Sequence, residues 1–478
     1  MANEYFSKME ALIDSWQGEM IDMLRGWIAV PSIATHESDA EPGKPFGEEC
    51  RKVLDIALAD AQKLGFEVDN VDGYAGAVQF GSGEKTMGML CHLDVVPAGE
   101  GWAYPPFELT VADGKMIGRG TMDDKGPALA ALFAMRAVRD SGLKMKDGVR
   151  LILGCDEESG MQDMRYYAKH RQMPDYGFSP DAEFPVINIE KGGLSIKLSK
   201  RTGGEEGAQI PVYELYAGVA PNVVPGKAHA IVGVQNIGLA ELERLCGEMC
   251  ADGVTQLNVT DAGDGRAKIE AVGRSAHASM PHLGINAAGM LLIALDKLGA
   301  GGGSKDAIHL LAEKIGLRGD GSGLGLACAD EESGELTSNL GILRYDGDEL
   351  IAFLDNRVPI CGDAATLLGN CTLAVAPAGV AVSTRGYKGP HHVPADSPIV
   401  QGLLAAYHEV TDLPAYAFAI GGGTYSRMMP NTVAFGFNFP GDADPCHMPD
   451  ESVNIAKFVM SVKIFAHAIA RLAGCIED

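Results

Sequence analysis

Positive charge is scarce in this chain. Against 64 Asp and Glu stand only 39 Lys and Arg, a formal net charge of −25. A polyanion of that size repels nucleic-acid phosphates and anionic membrane surfaces, so no nucleic acid and no membrane is expected among its partners. A small anionic substrate stays open, because one local Arg can bind a carboxylate inside an acidic protein. Long apolar runs are missing too, and none would span a bilayer. The start, "MANEYFSKMEALIDSWQGEM", mixes charges into a helical period where a signal peptide would carry an apolar stretch. The ten Cys include no C-x-x-C pair. Cys246 and Cys250 lie one helical turn apart, and Cys91, Cys155 and Cys371 sit in apolar runs. Reduced thiols and a cytoplasmic enzyme are the expectation. No repeat of solenoid period is present.

What is present is enough for two cores: 478 residues, 46% hydrophobic. Residues 5–29 and 46–64 read as amphipathic helices. Strand-like runs follow in "FEVDNVDGYAGAVQF", "KTMGMLCHLDVV" and "KMIGRG", then a helix in "GPALAALFAMRAVRDSG", whose Pro127 falls in the first turn. "GVRLILGCDEES" is β-rich and ends in acids, "MRYYAKHR" is a short helix, and "FPVINIEKGGLSIKL" is strand again. From about residue 190 the texture turns to alternating strands, with helices at 239–251 and 286–298 and a Gly-rich stretch at 299–306. Near residue 388 the first texture returns, with a helix in "SPIVQGLLAAYHEVTD", a strand in "NTVAFGFNF" and a last helix from Asn454. Strands alternating with helices imply an α/β domain. The simplest organisation is one such domain built from both chain ends (1–189 and 388–478), interrupted by an inserted α+β domain (190–387).

Five segments place acids or His at the ends of β-like runs: His92/Asp94, Asp123/Asp124, Glu157/Glu158, Asp181 and His447. Any one alone is most simply a solvated strand end. Together they look different, since functional groups in open α/β sheets collect beyond the carboxyl ends of the strands. His with carboxylates and no Cys suits zinc or manganese in a hydrolytic site. Two metals ~3.5–4 Å apart need one bridging carboxylate and a few terminal ligands.

The wording of these segments carries a resemblance. "HLDVVPAGEGW", "GRGTMDDKGP", "DEESG", "SPDAEFP", "RSAHASMP" and "GGGTYSR" occur in one order, and the chain resembles the M20 family of di-metal peptidases, most closely the long bacterial dipeptidases of the PepV type. The resemblance spans essentially the whole chain. It implies a phosphorylase/hydrolase-like catalytic domain with an inserted lid.

It also implies roles. His92 and Asp181 resemble ligands of a first metal, Glu158 and His447 ligands of a second, and Asp123 the bridging carboxylate. Asp124 occupies a variable position and receives no ligand role. Asp94 resembles the acid that hydrogen-bonds the other nitrogen of His92 and fixes its tautomer. Glu157 resembles the general base; two neighbours can do separate jobs only if the chain turns, which Ser159-Gly160 permits. In the lid, His277 resembles the group that stabilises the oxyanion, and Asn222 and Arg357 resemble substrate-holding groups. Gly422, Gly423 and Thr424, back in the first domain, resemble a loop whose N–H groups take the substrate's C-terminal carboxylate. His229, His309, His408 and His467 need only helix-face or surface readings, and His391 and His392 stay outside the ligand set.

The implied reaction is hydrolysis of the peptide bond of short peptides by a metal-bridged water, with two divalent ions, zinc first and manganese or cobalt as alternatives. N-acyl-amino-acid amidohydrolysis or carboxypeptidase action is the nearest rival, and a silent metal- or peptide-binding protein a more distant one. A lid long enough to close over its own chain's site implies a monomer, with a homodimer as the alternative.

Overall fold

The computed structural model describes residues 2–36, 41–250 and 256–475. Its chain divides into two compact units, residues 1–189, 392–418 and 423–478 in the first, and 190–391 with 419–422 in the second. The return to the first unit thus falls at His392 rather than near residue 388.

In the first unit a twisted sheet runs in the order Glu67–Val71, Ala75–Phe80, Gly148–Gly154, Thr86–His92, Tyr176–Ser179, Thr432–Ala434, Val186–Glu190. Thr86–His92 is parallel to both Gly148–Gly154 and Tyr176–Ser179, and Thr432–Ala434 is parallel to the latter. Parallel strands are buried on both faces, which is why "TMGMLCH" and "GVRLILG" read as nearly continuous apolar runs. Alternation then sorts the side chains. Met87, Met89 and Cys91 face the large core, beside Val149, Leu151 and Leu153. Leu90 and Ile152 face a smaller core with Tyr167, Tyr425 and Met429. By the same alternation His92 follows Leu90 towards the smaller core, and its ring lies edge-on to Tyr425, 6.2 Å between centroids.

The large core is closed by Lys125–Ser141, buried almost all round, and by Ile455–Ala473. Asn454 caps the latter, accepting hydrogen bonds from Ala456 and Lys457 N–H. Residues 5–29 form two helices, Ala2–Ser15 and Gln17–Ile28, with a turn at Trp16. The apolar stripe Phe6, Met9, Ile13, Trp16, Met20, Leu24, Trp27 keeps a three-to-four spacing across the break, so periodicity alone did not reveal it. "NTVAFGFNF" is likewise broken, into Thr432–Ala434 and Phe437–Asn438.

The second unit holds an eight-stranded sheet in the order Leu257–Gly263, Arg266–Val272, Lys227–Gly233, Val212–Ala217, Thr337–Tyr345, Glu349–Val358, Gly192–Arg201, Ala381–Lys388. Its neighbouring strands are antiparallel. Alternate residues such as Leu194, Ile196, Leu198 and Leu350, Ala352, Leu354 are buried in a core with helices Leu239–Met249, Ala287–Lys297, Lys305–Lys314 and Ala364–Val375. Two of these helices match the expected spans closely, although residue 251 lies outside the described residues. The Gly-rich stretch leads into the third. All ten cysteines are free, and no helix among the described residues is long and apolar enough to cross a membrane.

Phe178 sits in an aromatic cluster with Phe435 and Phe465, centroids 5.3 and 5.4 Å away. Phe178→Ala should cost about 3–5 kcal/mol of the first unit's stability. Urea unfolding followed by circular dichroism measures it, and a loss under about 1 kcal/mol would contradict the packing described.

Candidate metal centre

The first unit brings the strand-end acids and histidines together. His92 ends strand Thr86–His92, Asp181 follows Tyr176–Ser179, and Glu157 and Glu158 lie in the turn after Gly148–Gly154. Asp123 lies in the loop before helix Lys125–Ser141, and His447 in the segment before strand Ser452–Asn454. The parallel strands deliver their carboxyl ends to one rim, where the chain must leave the sheet and polar side chains become tolerable.

Two groups of donor atoms form there. In one, atoms of His92, Asp123 and Asp181 lie within 4.8 Å of one another; in the other, atoms of Asp123, Glu158 and His447 do so. Asp123 belongs to both. Its Oδ1 is 2.9 Å from His92 Nε2 and its Oδ2 3.0 Å from His447 Nε2. His447 Nε2 is 2.9 Å from Glu158 Oε1, and His92 Nε2 is 3.7 Å from Asp181 Oδ2. His92 Nε2 is buried and makes no aligned hydrogen bond, despite the short distance to Asp123. A buried imidazole nitrogen aimed at two carboxylates is a donor set that fits a divalent cation. His391 and His392 enter neither group.

Around these atoms lies a supporting shell. The Nδ1 of His92 is 2.9 Å from the backbone carbonyl of Asp94 and 3.4 Å from its carboxylate. The carbonyl, rather than the carboxylate expected from the sequence, is therefore the hydrogen-bonded partner. The Asp94 carboxylate is left to hold the backbone of the neighbouring turn. Its Oδ1 accepts from the N–H of Glu157 and its Oδ2 from that of Glu158, both at 3.2 Å. Asp124 is no member of either group. Its Oδ2 accepts from the backbone N–H of His92 at 2.9 Å, and the Asp123–Asp124 peptide is cis.

One supporting side chain carries no distinctive signal in the sequence. Asp163, buried in the first turn of helix Gln162–His170, accepts from the N–H groups of Cys155 (2.7 Å) and Asp156 (2.9 Å) and from the Tyr425 hydroxyl. It holds the Glu157 turn from behind. Burial pushes its carboxyl up to about 7. Gly154 permits this approach, since a Cβ there would collide with the Tyr425 hydroxyl and the Asp163 carboxylate. An acid in a first helical turn is too common to single out from sequence.

The electrostatics follow from crowding. Burial raises Glu157 well above the usual carboxylate range, with Glu158, Asp123 and Asp94 adding to it and His92 opposing. Burial and the neighbouring Asp123 carboxylate raise Asp181. Burial would also raise Asp123, but the adjacent imidazoles of His447 and His92 outweigh it and hold the group low.

The remaining predicted residues lie elsewhere. In the second unit, the Asn222 carbonyl accepts from Ala278 N–H at 2.9 Å, beside His277, whose Nδ1 is 2.6 Å from Ser279 Oγ. Arg357 donates to Asp355 (2.9 Å) and to the carbonyl of Gly421 (2.8 Å). A Cβ at Gly421 would strike Ser279. Gly422 therefore groups with the second unit, not with the first as expected, while Gly423 and Thr424 stay in the first. Thr424 Oγ1 accepts from Ser426 N–H and caps the short helix Tyr425–Met428. Of the discounted histidines, His467 stacks on Phe6 and bonds Glu10 at 3.0 Å, as a packing residue would.

Comparison with known proteins identifies the family. The family model described as "Peptidase family M20/M25/M40" matches residues 88–471, and the chain belongs to that family. The YtjP protein of Bacillus subtilis (strain 168) is 36% identical over 96% of this chain and 100% of its own length. A Beta-Ala-Xaa dipeptidase of Lactobacillus delbrueckii subsp. lactis is 33% identical over 96% of this chain and 97% of its own. Human carnosine dipeptidase 1 shares the fold, with a TM-score of 0.60 at 16% identity over 98% of both chains. The chain is accordingly a two-domain α/β metallopeptidase whose family is di-metal dependent.

In the metal-free protein, the carboxylates of Asp123 and Glu158 push His447 up to about 10. Burial acts to lower His92, but Asp123 and Asp94 outweigh it and leave it well above its ordinary value. His447 thus holds its second proton at neutral pH and must lose it to coordinate. Metal loading should release protons, and affinity should strengthen as pH rises from about 6.5 towards 9. Calorimetry in buffers of different ionisation enthalpy counts the protons. Affinity independent of pH over that window would remove His447 as a ligand.

Proposed function

We propose that this chain is a metal-dependent dipeptidase acting on short peptides with a free C-terminal carboxylate. The observation that carries the reading is the pair of donor groups sharing Asp123, with Glu157 in the turn beside Glu158. Similarity along nearly the full length to a Beta-Ala-Xaa dipeptidase supports the substrate class and makes β-alanyl dipeptides candidates to assay.

In this reading His92 and Asp181 would hold one ion and Glu158 and His447 the other, with Asp123, whose oxygens belong to both donor groups, serving both. His with carboxylates favours zinc, with manganese or cobalt as alternatives. When bound, the two ions supply Lewis acidity at the scissile carbonyl and a water of lowered pKa. Glu157 takes the proton of the attacking water on a carboxylate oxygen, and it returns that proton to the amide nitrogen as the C–N bond breaks. Asp94, bonded to the Glu157 and Glu158 amides and to His92, keeps base and ligands in register.

The first unit acts as the catalytic domain and the second as a lid. His277, its ring oriented by Ser279, donates to the oxyanion of the tetrahedral intermediate. Asn222 and Arg357 hold the substrate, and Gly422, Gly423 and Thr424 offer backbone N–H groups to its carboxylate. Ten free thiols fit a reducing, cytoplasmic setting, and the protein works as a monomer.

Glu157→Gln should lower kcat by about 10²–10⁴-fold while both metals remain bound. Near-normal turnover would sink its role as base. Chelation should abolish dipeptide hydrolysis, and Zn²⁺ or Mn²⁺ should restore it. Hydrolysis of N-acetyl amino acids in preference to dipeptides would favour the amidohydrolase reading instead.

A further inference from the structure

Four residues beyond His447 lies a side chain that neither donor group includes. Glu451 is fully buried. Its Oε1 accepts from three backbone N–H groups, those of Gly120 (3.0 Å), Met122 (2.9 Å) and Asp123 (3.1 Å). Its Oε2 accepts from Arg119 Nη1 at 2.6 Å. Arg119 is buried as well, with its guanidinium 5.2 Å from the centroid of the Trp102 ring. The Glu451 carbonyl accepts from Gly118 N–H at 2.9 Å, and strand Ser452–Asn454 pairs with Lys115–Ile117. Segments more than three hundred residues apart in sequence are thereby joined into one hydrogen-bonded body.

A buried ion pair alone is weak evidence of stabilisation, because desolvation offsets the attraction. Here Arg119 occupies one oxygen only. The other collects the amides of the loop that carries Asp123, and a charged acceptor makes these bonds stronger and more directional than neutral ones. Three converging N–H groups fix the course of the backbone through residues 120–123, and so the direction in which the Asp123 side chain leaves it. The same carboxylate belongs to the segment that carries His447.

We propose that Glu451 is a positioning residue of the metal centre. It aims the Asp123 carboxylate at both metal positions and sets the span between that carboxylate and His447. The inference rests on the proposed reading of Asp123 and His447 as ligands.

The test is Zn²⁺ affinity, measured by competition with a chromophoric chelator well below the unfolding temperature of each protein, so that lost stability does not enter. Glu451→Asp keeps the charge but retracts it by one methylene, out of reach of all three amides. Binding should weaken by about 10–100-fold, the usual effect of disturbing a residue that orients metal ligands, in a variant whose circular dichroism stays native. Affinity within twofold of the parent would overturn the proposal. Asp123→Asn, measured in parallel, separates the two levels: retention of both ions there would overturn the ligand reading itself, and the positioning role with it. A second measurement needs no variant. In the metal-free parent protein, the amides of residues 120–123 should resist hydrogen exchange as strongly as strand Thr86–His92. Exchange at the rate of an open loop would overturn the proposal, whether or not Glu451→Asp folds.

Discussion

The first unit depends on one electrostatic problem. Asp94, Asp123, Glu157, Glu158 and Asp181 crowd one rim of a sheet, with His92 and His447 among them. Burial first, and then the like charges of the neighbouring carboxylates, raise Glu157, Glu158 and Asp181. Without cations, the surrounding carboxylates draw His447 into its charged form and raise His92 as well. Divalent ions answer the same excess more strongly, which makes the crowding tolerable and gives it a use.

The backbone around the site is organised by carboxylates that take no part in either donor group. Asp94 collects the amides of Glu157 and Glu158, Asp163 those of Cys155 and Asp156, Asp124 that of His92, and Glu451 those of the Asp123 loop. Each acid replaces water as partner for N–H groups that a buried loop could not otherwise satisfy. The arrangement also explains why acids are so dense in this sequence at positions that are not ligands. An acidic composition is usually a matter of surface, but several of these side chains are fully buried.

The second unit answers a different demand. It presents a broad antiparallel sheet with helices in the core on one face, and its predicted substrate residues cluster on a local hydrogen-bonded frame. Arg357 reaches the carbonyl of Gly421, which brings the Gly-rich loop to this unit rather than leaving it with the first. His277 is held by Ser279, and Asn222 by the adjacent segment. The Arg357 guanidinium is partly neutralised by the Asp355 carboxylate it donates to.

Local sequence located most of the elements and the acids and histidines that meet at the rim of the first sheet. Continuous apolar runs ending in acids marked the parallel strands, three-to-four spacing marked the helices, and "HLD", "DDKG", "DEESG" and "DPCHMPDE" marked the residues that the fold gathers. Those signals are local because alternation and helical period depend on neighbours in the chain. What only the tertiary structure decided is long-range: the break at Trp16 beneath an unbroken stripe, the choice of the Asp94 carbonyl over its carboxylate for His92, the transfer of Gly422 to the second unit, and the binding of backbone amides by Asp163 and Glu451. Each turns on which backbone N–H or carbonyl a distant side chain reaches, and that is settled by three-dimensional packing, on which the spacing of residues along a chain carries no information.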